Sequence, residues 1–245
     1  MRARVLKVSN AFDHARAALR KARSVAVLTG AGVSAESGIP TFRSNGGYWR
    51  NFRFEELATP EGFARDPKLV WEFYEARRRD MSLAKPNAGH QALVEIERRV
   101  ETFTLITQNI DGLHTLAGSK NVICLHGDIW KIRCIRCSYS RTDREPLADL
   151  PPYCKCGAML RPAVVWFGEQ LPEGAIEAAT RAVLAADVFI VAGTSAQVYP
   201  AAGLIPLAVR QGAKVIEINP EATDFSEDVS WSLRGPSAEI LPSLL

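Results

Sequence analysis

The chain is predicted to fold as a doubly wound α/β domain carrying a smaller lobe, on three observations. Short apolar runs rich in Val and Ile recur at residues 24–29, 103–107, 122–125, 188–192 and 215–218. Runs of that length with no polar alternation read as strands buried on both faces, as in a parallel sheet. Helical spacing of apolar residues fills the intervals 88–100, 176–186 and 201–211, and strands alternating with helices give βαβ units with helices over both sheet faces. The first run ends in a glycine-rich turn, where such folds place a nucleotide phosphate.

Along the chain, Ala11, Phe12, Ala15, Leu19 and Ala22 recur at helical spacing, so residues 10–23 form an amphipathic helix. The strand 24–29 runs into Gly30, Ala31, Gly32 and, three residues on, Ala35, which matches the G-x-G-x-x-G/A phosphate fingerprint. Glycine permits the tight turn and the approach of backbone to pyrophosphate, and a small third residue lets helix and strand pack closely. A packing turn of small residues is the plainer alternative. Residues 44–85 are rich in aromatic and charged side chains and read as loop plus helices, 67–81 being the clearest. Residues 129–161 hold four of the five cysteines, with Pro146, Pro151 and Pro152 between the pairs. The expected organisation is one domain of 1–245: a large lobe from 1–43, 86–128 and 162–245, a helical insert at 44–85 and a metal-bearing insert at 129–161. Cys124, on the strand 122–125, is expected to pack in the core.

Thirty basic against 27 acidic side chains give a net charge of only +3, too balanced for the concentrated basic face of a nucleic-acid binder. No apolar stretch approaches the ~20 residues of a membrane helix, and the N-terminus lacks a signal-peptide core. A cytoplasmic setting is expected, where five cysteines argue for metal or chemistry rather than disulfides. Cys134-x-x-Cys137 and Cys154-x-Cys156 stand 16 residues apart, close to the spacing of a Cys₄ zinc ribbon, although the second pair is one residue shorter than C-x-x-C. Four thiolates leave no open ligand position, so the zinc is expected to be structural. A dehydrogenase of this fold places an acidic residue after the second strand, ~20 residues past the glycines, to hold the ribose. Glu55 and Glu56 lie near that distance but follow no strand pattern, which weakens hydride-transfer chemistry.

The segment GAGVSAESGIPTFR at 30–43 resembles the signature of the sirtuins. So do TQNIDGLH at 107–114, LHG at 125–127, VVWFGE at 164–169, GTS at 193–195 and INPE at 218–221, in family order and across nearly the whole chain. The resemblance implies a Rossmann-like large lobe, a structural zinc in the smaller one, and NAD plus an acyl-lysine peptide in the cleft between. NAD is consumed: the acyl oxygen displaces nicotinamide, a ribose hydroxyl deprotonated by a histidine attacks, and free lysine and O-acyl-ADP-ribose leave. His126 is the expected base, assisted by Asn109 and Asp111; a histidine just past a strand's carboxyl end sits where open α/β sheets bind ligands. His14 is expected at the surface, His90 within a helix and His114 in a structural role.

The same resemblance assigns cofactor contacts to Gly30, Ala31, Gly32, Ala35, Thr41, Phe42 and Arg43, to Gln108, Asn109, Ile110 and Asp111, and to Gly193, Thr194, Ser195, Asn219, Pro220, Glu221 and Ser237. The metal falls to Cys134, Cys137, Cys154 and Cys156. Tyr74 and Arg77, at i and i+3 of a predicted helix, match the Y-x-x-R feature of class III sirtuins, which remove succinyl, malonyl and glutaryl groups. An arginine fork plus a phenol suits a carboxylate. The plainer alternative is that Arg77, Arg78 and Arg79 form a solvated basic face. Val165, Phe167 and Gly168 are expected to bind the peptide as an added strand, sandwiched with the segment 196–199. Other expectations are a monomer with no membrane or nucleic-acid partner. The competing functions are an NAD-dependent mono-ADP-ribosyltransferase on the same scaffold, a zinc-ribbon binding module and, last, a dehydrogenase.

Overall fold

The computed structural model of the protein describes residues 2–41 and 48–245. Helix α1 (Arg2–Lys21) leads into strand β1 (Ser24–Thr29) and the short helix α2 (Gly32–Ala35). The helix starts at Arg2 rather than at residue 10 and ends at Lys21 rather than at 23. A ribbon of β2 (Tyr48–Trp49) and β3 (Phe52–Arg53) precedes helices α3 (Phe54–Leu57), α4 (Pro60–Arg65) and α5 (Pro67–Leu83). Thr59 and Asp66 cap α4 and α5 with side-chain oxygens, each just before a proline at the first helical position, where its missing N–H removes no bond.

Helix α6 (Ala88–Arg99) follows, then β4 (Thr102–Thr107), α7 (Leu113–Ala117) and β5 (Val122–Cys124). Strands β6 (Gly127–Cys134), β7 (Ser140–Thr142) and β8 (Leu160–Val164) form a separate antiparallel sheet in the order β7-β6-β8. The chain returns through α8 (Ala175–Leu184), β9 (Val188–Ala192), α9 (Leu204–Arg210), β10 (Lys214–Ile218), β11 (Trp231–Leu233) and α10 (Ser237–Ser243).

The main sheet runs β11-β10-β9-β1-β4-β5, with every neighbouring pair parallel. After β1 the chain winds outward through β4 and β5, then crosses back to β9 and winds the other way. The strand order therefore reverses between β1 and β9, and a crevice opens at their carboxyl ends. Alternation along β1 sorts its side chains to two faces. Val25 and Val27 pack with Leu19, Leu93 and Leu241 of α1, α6 and α10, whereas Ala26 and Leu28 pack with Val183 and Leu204 of α8 and α9.

A third cluster joins α4 and α5 to the antiparallel sheet through Phe63, Trp71, Tyr74, Trp130, Ile132 and Trp166. Arg78 adds polar ties. It is 2% exposed, donates to the carbonyls of Ile129 and Glu145 and pairs with Glu75 at 2.6 Å. A solvated face over 77–79 therefore holds only for Arg79, because the helix turns its neighbours inward. Cys124 likewise departs from expectation: β5 is an edge strand, and its thiol is exposed rather than packed in the core. Among the described residues no helix is long and apolar enough to cross a membrane.

Candidate active site

The loops that leave β1, β4, β9 and β10 meet at the crevice. Gly193 after β9 adopts a φ of +60°, and a Cβ there would lie 2.4 Å from the Val33 nitrogen. A Cβ on Gly32 would in turn lie 2.8 Å from the Gly193 carbonyl oxygen. The two glycine turns interlock, and the Gly30 and Gly32 amides donate to the carbonyls of Ala192 and Gly193. Glycine is thus demanded by backbone packing across the switch point as well as by any ligand, which the fingerprint alone does not reveal.

Residues after β4 stitch these turns together. Gln108 donates from Nε2 to Thr194 Oγ1 at 3.0 Å. Asn109 donates from Nδ2 to the Gly30 carbonyl at 3.0 Å and to Ser34 Oγ at 3.2 Å. Ser34 Oγ donates to Asp111 at 2.8 Å, whose other carboxylate oxygen accepts from the Leu113 amide. Burial raises the Asp111 pKa, against the lowering effect of these two bonds. Arg77 of α5 lies close enough to lower it too, so the helical lobe and the β4 loop share one electrostatic field. Ile110 is buried beside them.

His126 stands where β5 ends and β6 begins. Gly127 makes that corner with a φ of +82°, and a Cβ there would meet the Ala163 carbonyl oxygen at 2.1 Å. Nδ1 of His126 lies 3.0 Å from the Gln108 carbonyl oxygen. A carbonyl only accepts, so Nδ1 carries the proton and Nε2 keeps its lone pair. Burial lowers the pKa of this half-buried ring, with the Gln108 bond opposing. The His126 carbonyl accepts from the Val165 amide at 2.9 Å, and the Phe167 amide donates to Ala58. Phe167 is exposed, as are Val198 and Tyr199 on the segment 196–199, while Gly168 turns the chain with a φ of +84°.

On the far half, Thr194 is buried and Ser195 partly so, Pro220 and Glu221 are exposed, and Arg234 donates to the carbonyls of Asn219 and Glu221. Ser237 begins α10 with a hydroxyl that is buried yet has no partner among the described residues. Ala31 and Thr41 are half-buried and Ala35 is exposed. Phe42 and Arg43 lie outside the described residues.

Beneath this layer lies a buried pair that sequence reasoning did not assign to the site. His90 and His114 have ring centroids 4.8 Å apart. His114 Nε2 is 2.9 Å from Thr29 Oγ1, which donates to Thr107 Oγ1, the acceptor for the Asn109 amide. His90 Nδ1 accepts from Asn87 at the start of α6, and its Nε2 lies 3.5 Å from Ser34 Oγ. Helical spacing places His90 on the buried face of α6 but gives no hint of Ser34. The remaining histidine, His14, is exposed, as expected.

In the small lobe the four sulfurs of Cys134, Cys137, Cys154 and Cys156 lie within 4.8 Å of one another. The pairs Cys134–Cys156 and Cys137–Cys154 are separated by 3.6 and 3.7 Å, matching the edge of about 3.8 Å in a tetrahedron with Zn–S bonds of ~2.3 Å. Backbone amides of Arg136 and Cys137 donate to the Cys134 sulfur. The shorter second knuckle closes through Gly157, whose φ is +81°. These residues fit a structural zinc.

Tyr74 is 2% exposed, and its phenol oxygen accepts from the Trp166 indole N–H at 2.9 Å. Burial holds its pKa up at about 12, so the phenol stays protonated. Arg77 is half-buried, with its guanidinium carbon 5.7 and 5.6 Å from the Phe54 and Phe73 ring centroids.

A family model described as the Sir2 family matches residues 30–200. An NAD-dependent protein deacylase of Aquifex aeolicus is 55% identical over 206 residues, covering 83% of this chain and 86% of that protein. One of Thermus thermophilus is 50% identical over 96% of this chain and 94% of its own length. A crystal structure of a Sir2 homologue–NAD complex matches with a TM-score of 0.90 at 46% identity, covering 95% of this chain and 91% of that one. A Sir2 bound to acetylated peptide matches with a TM-score of 0.82 at 33% identity, covering 91% and 92%. With the family model spanning most of its length and such relatives covering nearly all of it, the chain belongs to the Sir2 family.

Proposed function

We propose that this chain is an NAD-dependent protein-lysine deacylase whose acyl pocket takes succinyl and malonyl groups as well as acetyl. The general activity rests on family membership: relatives from Aquifex and Thermus carry the name NAD-dependent protein deacylase. NAD is the co-substrate, supplying an electrophilic ribose carbon as nicotinamide departs and leaving as O-acyl-ADP-ribose.

His126 serves as the general base in this reading. Its lone pair on Nε2 accepts a proton from a ribose hydroxyl, while Nδ1–H stays on the Gln108 carbonyl and favours the charged ring that results. Burial favours the neutral ring, the form that accepts a proton. Asn109 and Asp111, joined through Ser34, orient the sugar and nicotinamide end, and Gln108 and Thr194 hold the rim between the two halves. The buried, unpartnered Ser237 hydroxyl supports a ligand contact at α10. Phe42 and Arg43 are assigned to the cofactor by motif. In this reading the acyl-lysine peptide adds as a strand between 165–169 and 196–199; the matched Sir2 bound to acetylated peptide supports peptide binding itself. A reducing cytoplasm keeps the four thiolates available to zinc.

The acidic-acyl preference rests on one observation: Arg77 is half-buried on α5, three residues from the buried Tyr74, with its guanidinium against the Phe54 and Phe73 rings rather than in solvent. A guanidinium there, beside a phenol donor, meets a substrate carboxylate with charge-assisted bonds of ~1.5–3 kcal/mol. One panel tests both claims, using acetyl-lysine and succinyl-lysine peptides with NAD and following nicotinamide and O-acyl-ADP-ribose by mass spectrometry. His126→Ala should lose roughly 100-fold or more on both peptides. Arg77→Met should lower the succinyl-to-acetyl ratio of kcat/KM by roughly tenfold to a hundredfold. Normal turnover by His126→Ala removes the base assignment, and an unchanged ratio in Arg77→Met removes the acidic-acyl reading.

A further inference from the structure

Trp166 is gripped from every side. Its backbone amide donates to Glu169 at 2.9 Å. The Arg161 guanidinium carbon stacks 3.3 Å from its ring centroid, and the Phe63 ring packs with centroids 5.1 Å away. Arg161 is itself fixed, donating to both Glu169 oxygens at 2.5 and 2.8 Å and to the Val164 carbonyl at 3.0 Å. So rigid a mounting leaves the indole one direction, and its N–H points at Tyr74 Oη.

The chemistry of that bond decides what Tyr74 can do. An indole N–H only donates, so the phenol oxygen must accept. The phenol proton remains to be given, because Trp166 donates to this hydroxyl and, among the described residues, no group is seen accepting from it. A hydroxyl that accepts one hydrogen bond becomes a stronger donor in the next, because the two bonds polarise one another. Both rings are 2% exposed, which shields the pair from competing water.

We infer that Trp166 is a specificity-determining positioning residue, which by donating its indole N–H to Tyr74 commits the phenol to donate its own proton to an acceptor beside Arg77, the carboxylate of an acidic acyl group. The inference rests on the acidic-acyl reading above. Trp166 acts through Tyr74 and need not touch the acyl carboxylate. Its influence falls on acyl choice because only an acidic acyl chain brings a carboxylate to the phenol, whereas acetyl ends short of it.

A double-mutant cycle on the full chain tests this, with kcat/KM measured on succinyl-lysine and acetyl-lysine peptides. Trp166→Phe keeps an aromatic ring and removes the N–H, and should lower the succinyl-to-acetyl ratio roughly threefold to tenfold, mainly through KM for the succinyl peptide. In a Tyr74→Phe background the same change should leave the ratio unmoved, since the hydroxyl it orients is gone. A merely structural role lowers both activities together, leaves the ratio at its wild-type value and overturns the inference. So does an equal drop in ratio with and without the Tyr74 hydroxyl. Should Trp166→Phe fail to fold, a benzothiophene introduced in place of the indole at 166 alone keeps the shape without the N–H and is read the same way. Failure of the acidic-acyl reading is distinct: the wild type then shows no desuccinylation, or Arg77→Met leaves its preference intact.

Discussion

Mild acid should strip stability from the layer that supports the site, through the imidazoles of His90 and His114. The two rings are 0% and 2% exposed. Burial pushes His90 down to about 4. Burial, and then the neighbouring His90, push His114 down to about 3. In the unfolded chain each titrates near ~6.5. Below that value the unfolded chain binds protons that the native protein refuses, so stability falls as pH falls, and the loss levels off only as the pH nears the folded-state values. Between about pH 7 and about pH 5 each ring accounts for about 2 kcal/mol, and the pair for about 4 kcal/mol. That is a large share of the ~5–15 kcal/mol that holds a typical domain together.

The assay is equilibrium urea unfolding at the two pH values for the wild type and for His114→Gln, whose amide can still reach Thr29 but does not titrate. The variant should lose about 2 kcal/mol less on acidification than the wild type, whatever its absolute stability. Carboxylates titrate alike in both proteins and cancel in the difference. Equal losses, or a wild-type stability that is flat across this window, refute the claim that the pair is held neutral. The functional consequence is direct, because these rings touch Thr29 and approach Ser34, and through them Asn109 and Asp111.

Two further expectations concern the frame. Gly193→Ala places a Cβ 2.4 Å from the Val33 nitrogen at a φ of +60°, so it should destabilise by about 2 kcal/mol or more and raise KM for NAD; thermal unfolding and NAD titration check both, and a wild-type profile contradicts the interlocked turns. Elemental mass spectrometry should find one zinc per chain, and Cys134→Ala should lower that content and expose residues 135–157 to limited proteolysis; a stable, protease-resistant variant without zinc removes the structural role.

Much of the frame was legible in residue order because it is written locally. Strand length, apolar content and the glycine turn located β1, β4, β9 and β10, and helical period located α5, α6, α8 and α9. Tyr74 and Arg77 fall on one face of α5 by spacing alone, and cysteine spacing named the metal residues. Strand β11 escaped because it has three residues, too few to show a period. Basic side chains in a row gave Arg77, Arg78 and Arg79 one reading, and only packing separates a buried Arg78 from an exposed Arg79.

Residue order by itself determined which side chains are apolar, which turns need glycine and which chemistry the motifs carry. Tertiary structure alone decided which partners those groups meet. Tyr74 and Trp166 are 92 residues apart in the chain, His90 and Ser34 56 apart, and Gly193 and Gly32 meet only because the strand order reverses between β1 and β9. Periodicity reports that a face is buried; what lies against it depends on loop closure and sheet order, which no local pattern encodes.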